Sequence, residues 1–309
     1  MTLSLIDATP ALEELIDREA EMHRLADGFV FLEGPVWHHE DAYLLFSDIQ
    51  NDTRWRWSER DGARIEARPN FIGNGLVYDA DGNLLVCEHV TSTVARIRPG
   101  GDRDIPAFHY RGTYLNSPND VITRSDGSIY FSDPNYGRWD HAVGVKRPFE
   151  LGFQGVFRVP NSGGELQLVV ERDAFEQPNG LCFSPDESVL YINDVQDITA
   201  YDVQPDGSLR HPRVFHEGLG SGEIPGTGNP DGMKCDARGN VWCTARDGVW
   251  VIAPTGDLLG IVATPEVTAN LCWGGPEWNW LFLCTSTSLH MVETKVTSAP
   301  LPYHPRVSR

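Results

Sequence analysis

A short β-rich motif recurs six times along the chain, and this repeat constrains the possible folds more than any other feature. Each copy is a turn followed by an apolar strand. The last residues of successive copies are 40, 45, 61, 51 and 40 residues apart. A period of about 40 to 50 residues is typical of β-propeller blades. The six copies occupy residues 43–48, 83–88, 128–133, 189–194, 240–245 and 280–285.

A second series of similar segments lies 14 or 15 residues before the first series. Its leading residues are 41, 45, 60, 52 and 39 residues apart, so the two series keep the same spacing even across the two long intervals. Long loops can be inserted between the strands of a propeller without altering its hairpins. The sequence therefore predicts an all-β fold, a six-bladed β-propeller with two large insertions. The leading residues are Glu33, Asn74, Asn119, Asn179, Asp231 and Asn270.

The amino-terminal segment differs from the rest of the chain because it has helical periodicity. Thr9 is suited to the N-cap position, Pro10 to the first helical position, and Leu12, Leu15 and Ile16 share one face. We expect a short helix that packs outside the ring. We also expect residues 21–32 to pair with the last blade near residues 280–295 and so close the ring. Residues 1–309 are then one propeller domain, with residues 1–28 forming the helix and an outer-strand extension.

The overall charge argues against several classes of partner. The formal net charge is −19, which repels phosphate backbones and anionic lipid head groups. The first residues contain no signal-peptide pattern, and the six cysteines form no C-x-x-C pair. We therefore expect a cytoplasmic protein that binds neither nucleic acid nor membrane. The sequence gives no indication of an obligate protein partner.

The six leading residues of the second series predict a metal site. The innermost strand of each blade lines the central channel, so equivalent positions in successive blades face one axis. All six side chains present an oxygen atom, and carboxylate and amide oxygens suit Ca²⁺, Mg²⁺ or Mn²⁺. Calcium is the first choice, with Mg²⁺, Mn²⁺, Zn²⁺ and Fe²⁺ as alternatives. The competing interpretation is that these residues belong to ordinary Asn-Gly and Asp-Gly turns.

At these positions the chain resembles the senescence-marker-protein/gluconolactonase family, which includes regucalcin, bacterial gluconolactonases and other sugar-lactone lactonases. The resemblance extends over residues 29–293 and implies a six-bladed propeller that hydrolyses a sugar lactone. Ser117 stands where the regucalcin branch has an arginine, so the chain is more similar to the bacterial gluconolactonases. The motifs that carry the resemblance occupy residues 33–37, 117–121, 131–134, 136–137, 177–181 and 229–233.

The resemblance also implies roles for individual residues. It implies that Glu33, Asn179 and Asp231 bind the metal, and that Asn119 contacts either the metal or the substrate. Asn74 and Asn270 match no ligand of the family, and we expect turns or hydrogen bonds of the channel wall there.

A lactone is cleaved by attack of water on its carbonyl carbon, and a bound metal can polarise that carbonyl. Asp231 is the candidate general base, a role that the resemblance supports, and a water bound to the metal is the alternative. Two other functions remain open at this stage. One is hydrolysis of phosphotriesters at the same oxygen-rich site, and the other is a calcium-binding or scaffold propeller without turnover.

Two loops are candidates for the mouth of the channel. Residues 218–228 are rich in glycine and lead directly to Asp231. Residues 134–155 carry aromatic and cationic side chains that would suit a polyhydroxylated ring or an acidic product. A surface loop with solvated cations is the competing interpretation. The side chains in question are Tyr136, Arg138, Trp139, His141, Lys146 and Arg147.

Overall fold

The computed structural model describes residues 1–139, 143–220 and 228–303 and is almost entirely β-structure. Six antiparallel sheets surround a central channel, which confirms the predicted six-bladed propeller. The innermost strands of neighbouring blades contact one another around the ring, so that the sixth blade meets the first.

The strands follow one another in chain order, with four to each regular blade. The amino-terminal segment contains β1 (Leu5–Ile6), α1 (Pro10–Glu13) and β2 (His23–Asp27). Blade 1 contains β3 (Leu32–His38), β4 (Tyr43–Asp48), β5 (Thr53–Ser58) and β6 (Gly62–Ala67). Blade 2 contains β7 (Gly73–Tyr78), β8 (Leu84–Glu88), β9 (Thr93–Ile97) and β10 (Arg103–Ala107). A small hairpin follows, formed by β11 (His109–Tyr110) and β12 (Thr113–Tyr114).

The second half of the chain repeats this arrangement. Blade 3 contains β13 (Val121–Thr123), β14 (Ile129–Asp133), β15 (Gly155–Val159) and β16 (Gln167–Leu168). Blade 4 contains β17 (Leu181–Phe183), β18 (Val189–Asn193), β19 (Ile198–Val203) and β20 (Leu209–His216). Blade 5 contains β21 (Met233–Cys235), β22 (Val241–Ala245), β23 (Gly248–Ile252) and β24 (Leu258–Ala263). Blade 6 contains β25 (Thr268–Gly274), β26 (Trp280–Thr285) and β27 (Ser288–Glu293).

Both repeated segments have the positions in the blades that their spacing predicts. The second series lies at or just before the innermost strands, and the first series forms the second strands. Apolar side chains of these strands pack between neighbouring blades rather than in one central core. The cluster between blades 1 and 2, for example, joins Leu45 of β4 to Leu76 of β7 and Val86 of β8. The channel is therefore left free for polar side chains.

The predicted closure of the ring is confirmed. Strand β2 pairs antiparallel with β27, with His23 opposite Met291 and Ala26 opposite Leu289. Blade 6 thus takes its outermost strand from the amino-terminal part of the chain and its other three strands from the carboxyl-terminal part.

The predicted helix is also present, although it is a single turn. The Thr9 side chain caps it by accepting a hydrogen bond from the Leu12 amide. Leu12, Leu15 and Ile16 pack in one cluster with Trp242 of blade 5 and side chains of blade 6. Strand β1, which the sequence did not predict, adds a fifth strand to blade 5. No helix in the described part of the chain is long and apolar enough to cross a membrane.

Candidate functional site

One end of the channel holds a cavity of about 210 Å³ whose wall includes five of the six predicted channel residues. Asn270, the sixth, donates a 2.8 Å hydrogen bond to Oε2 of Glu33. The structure therefore brings together residues that are spread over six blades and more than two hundred positions of sequence. The five in the wall are Glu33, Asn74, Asn119, Asn179 and Asp231.

Glu33 and Asp231 form a pair of carboxylates within this cavity. Burial raises the pKa of Asp231 well above its ordinary value, and the charge of Glu33 and a hydrogen bond with it add to the effect. A hydrogen bond from the Asn179 side chain lowers the pKa of Asp231 and so partly offsets this increase. Burial likewise raises the pKa of Glu33 to about 7, although Asn270 and the Gly34 amide both donate to its carboxylate. A cation bound between two such neighbouring carboxylates would offset their charge and favour the ionised form of both.

Two further oxygen atoms lack hydrogen-bond partners among the described residues. Oδ1 of Asn74 and Oδ2 of Asp120 are buried, and neither accepts a hydrogen bond from a described residue. A buried oxygen without a hydrogen-bond partner is costly, and a bound cation is one way to satisfy Oδ1 of Asn74, whereas Oδ2 of Asp120 lies 3.7 Å from the Lys234 ammonium. The donor set of carboxylates and amides fits a hard divalent cation. Across residues 1–139, 143–220 and 228–303 no three His, Cys, Asp or Glu residues cluster as ligands.

Glycines that follow the channel residues allow the innermost strands to approach one another. A Cβ atom at Gly34 would lie 2.1 Å from the Asn74 carbonyl oxygen, and one at Gly180 would lie 2.1 Å from the Asp231 carbonyl oxygen. Glycine is therefore required here by the close approach of the next blade. The Asn-Gly and Asp-Gly pairs lie at the channel, which removes the interpretation that they are ordinary hairpin turns.

In blades 1, 3 and 4, an aspartate at or just after the end of the second strand accepts hydrogen bonds from the loop that precedes the channel residue. Asp133 accepts hydrogen bonds from the amides of Asn116 and Ser117, at 2.9 and 2.8 Å, just before Asn119. In blade 4, Asp194 accepts from the two amides that lie three and two residues before Asn179, both at 2.7 Å.

Blade 1 repeats this contact, because Asp48 accepts from the amides of Val30 and Phe31 just before Glu33. Sequence reasoning did not assign this role. The recurrence of aspartate as the last residue of the motif was the available signal.

The 134–155 loop reaches the cavity, as predicted, but its cations have other partners. Tyr136 and Val143 contribute to the cavity wall. The Arg147 guanidinium donates to the backbone carbonyls of His89 and Val90, so the structure does not support a role in substrate binding for it.

Arg138 similarly donates to backbone carbonyls, those of Leu115 and Asn116. Trp139 packs edge-on against Tyr136, with ring centroids 5.0 Å apart. In the glycine-rich loop, Gly228 lines the cavity. His141 and residues 221–227 lie outside the described residues.

Fold and site together define the class of protein, a six-bladed β-propeller with an oxygen-lined pocket on its axis. The chain belongs to the SMP-30/gluconolactonase/LRE-like family, whose model matches residues 31–287. This confirms the resemblance predicted from the motifs.

Individual relatives agree with this assignment. The chain is 29% identical to a gluconolactonase of Zymomonas mobilis over 93% of its own length and 85% of that protein. It is 25% identical to a pentonolactonase of Haloferax volcanii, over 82% of this chain and 81% of that one. A solved gluconolactonase structure from Xanthomonas campestris superposes with a TM-score of 0.84 at 31% identity, covering 94% of each chain.

Proposed function

We propose that this protein hydrolyses a sugar lactone to the corresponding aldonic acid, using a divalent metal bound by Glu33, Asn179 and Asp231. The observation that carries the proposal is the pair of carboxylates, Glu33 and Asp231, in the wall of one axial cavity. The names of the relatives, a gluconolactonase and a pentonolactonase, support lactone hydrolysis as the reaction.

The size and chemistry of the cavity suit a small polar substrate. Its volume of about 210 Å³ is smaller than the roughly 300 to 1,000 Å³ of pockets that hold drug-sized ligands. Its wall carries carboxylate, amide and phenol groups that can hydrogen-bond to the hydroxyls of a single sugar ring. Asn119 is the proposed contact to the substrate.

Calcium is the proposed metal, because the ligands are hard oxygens and neither thiol nor imidazole is among them. When bound, the metal polarises the lactone carbonyl as a Lewis acid. Glu33 is held in place for this role by the Gly34 amide and the Asn270 side chain, both at 2.8 Å.

Asp231 is the proposed general base. Burial and the neighbouring Glu33 raise its pKa in the metal-free protein, and the bound metal would keep the carboxylate ionised, so that it can accept a proton from water. It takes a proton from the attacking water while the water oxygen bonds to the carbonyl carbon. The ring C–O bond then breaks, and the leaving alkoxide oxygen takes this proton from Asp231, which returns to its carboxylate form. One water is consumed, and one hydroxy acid is formed.

The test is acid release from glucono-1,5-lactone by the wild type, Glu33→Gln and Asp231→Asn, with calcium or with a chelator. We expect both variants to lose at least about 100-fold in kcat/KM, and the wild type to lose activity with chelator and regain it with calcium. Asp257→Asn and Glu165→Gln, on exposed turns, are matched controls that should retain activity. A wild type that is inactive on a panel of aldonolactones would overturn the proposal.

A further inference from the structure

An ammonium group lies inside the channel on the far side of the candidate metal site. Lys234, on β21, has a side chain that is only 20% exposed, and its Nζ lies 3.7 Å from Oδ2 of Asp120. Nζ also donates a 3.1 Å hydrogen bond to the Met233 carbonyl. The Asp120 side chain is 5% exposed. Lys234 is therefore the cation that faces the otherwise unpartnered oxygen of Asp120.

The channel contains a second cavity beside Lys234. Lys234 lines the second cavity, of about 80 Å³, together with Val36, Leu76 and Val121. Those three residues lie further along the innermost strands than the residues that line the first cavity. The carboxyl-terminal residues Pro300 to Tyr303 also contribute to the wall of this second cavity.

Asp120 is electrostatically coupled to the candidate metal ligands. Asp120 directly follows Asn119, which lines the first cavity, and its charge adds to the larger effect of burial in raising the pKa of both Glu33 and Asp231. The three carboxylates and Lys234 thus form one set of interacting charges on the axis. With all four groups ionised, the set has three negative charges and one positive charge, a net charge of −2.

We propose that Lys234 fixes the charge of this axial set at −2 and thereby makes the site selective for a divalent over a trivalent cation. Buried charge that is not compensated is costly, so a cation that brings the set to neutrality is favoured. One divalent ion does so, whereas a trivalent ion leaves an excess positive charge beside the Lys234 ammonium. The inference depends on the metal site of the proposed function.

The test compares the affinities for Ca²⁺ and Tb³⁺, measured by titration calorimetry on the full chain. Lys234→Met changes the net charge of the axial set to −3, and we expect the ratio of Tb³⁺ to Ca²⁺ affinity to rise about tenfold. Asp120→Asn changes the net charge of the set to −1 and should lower the ratio of Tb³⁺ to Ca²⁺ affinity. The double variant restores −2 and should return the ratio to the wild-type value. Lys295→Met, a lysine 47% exposed outside the channel, is the matched control and should not change it.

The outcomes separate this inference from the proposed function. A wild type that binds neither ion contradicts the metal site itself. A wild type that binds calcium, with a ratio that moves in neither single variant, overturns the role of Lys234. If circular dichroism shows that Lys234→Met does not fold, Asp120→Asn still tests the inference, because this variant must lower the ratio of Tb³⁺ to Ca²⁺ affinity. A double variant that keeps the altered ratio of a single variant would also overturn the inference.

Discussion

The side-chain amide of Asn270 donates a 2.8 Å hydrogen bond to Oε2 of Glu33, joining the sixth blade to the first at the axis. Oδ1 of Asn270 accepts a 2.8 Å hydrogen bond from the Leu271 amide, which fixes which end of the side-chain amide faces Glu33. Asn270 was expected to belong to a turn or to take part in hydrogen bonds of the channel wall, and this contact is of the second kind. The same hydrogen bond therefore links the last blade to the first and orients Glu33, a candidate metal ligand.

Asn270→Asp should destabilise the metal-free protein by about 2 kcal/mol, because a carboxylate would replace the donor that faces Glu33. Urea denaturation in the presence of a chelator measures this. Asn161→Asp, at an exposed loop position, is the matched control and should change the free energy of unfolding by less than about 0.5 kcal/mol. Equal effects at the two positions would show that the contact with Glu33 does not stabilise the fold.

Asp194→Ala should weaken metal binding about tenfold or more, because the amides of Glu176 and Gln177 would lose their acceptor and the loop before Asn179 would move. Calcium titration of the folded variant measures the effect. Asp206→Ala removes a similar aspartate from an exposed turn, where it accepts from Ser208, and serves as the control. Unchanged calcium affinity in Asp194→Ala would contradict a positioning role for the carboxylate.

The sequence predicted the propeller because its spacing repeats, and it predicted the channel residues because they occupy equivalent positions. The spacing does not show which residues of different blades contact one another. Asp120 lies just before the innermost strand of blade 3, and Lys234 lies on the innermost strand of blade 5, so the two blades are not adjacent. The spacing of the repeats therefore does not predict this contact. The close approach of Gly180 to the Asp231 carbonyl oxygen is also a contact between blades. From the sequence alone, an ordinary Asn-Gly turn was the competing interpretation at this position.

Gly180→Ala should destabilise the protein by about 2 to 3 kcal/mol, since the new Cβ would lie 2.1 Å from the Asp231 carbonyl oxygen and the backbone would have to shift. It should also weaken calcium binding, because Asp231 would move with its backbone. Gly163→Ala is the comparison, with φ of +78° and nothing within 4 Å, and should cost about 1 kcal/mol with calcium affinity unchanged. If Gly180→Ala bound calcium normally, the blades would be able to separate without moving the ligand.

Glu33 should make the metal-free protein less stable as the pH rises from 4.5 to about 7. Burial raises the pKa of Glu33 from its ordinary 4.5 to about 7, so in this range the folded chain keeps a proton that the unfolded chain releases. The native state then binds more protons, and the free energy of unfolding falls with rising pH. Urea denaturation with a chelator at several pH values measures the slope.

Glu33→Gln separates the contribution of Glu33 from that of other groups. Asp133, whose pKa burial also raises to about 7, adds to the slope in the same direction. The prediction therefore concerns the difference between wild type and Glu33→Gln, in which glutamine can still accept from Gly34 and Asn270 but does not titrate. The variant should show the shallower slope. Saturating calcium should reduce the wild-type slope, because a bound cation favours the ionised carboxylate in the folded state. Identical slopes in the two chelated proteins would mean that Glu33 is ionised in the folded protein throughout this range.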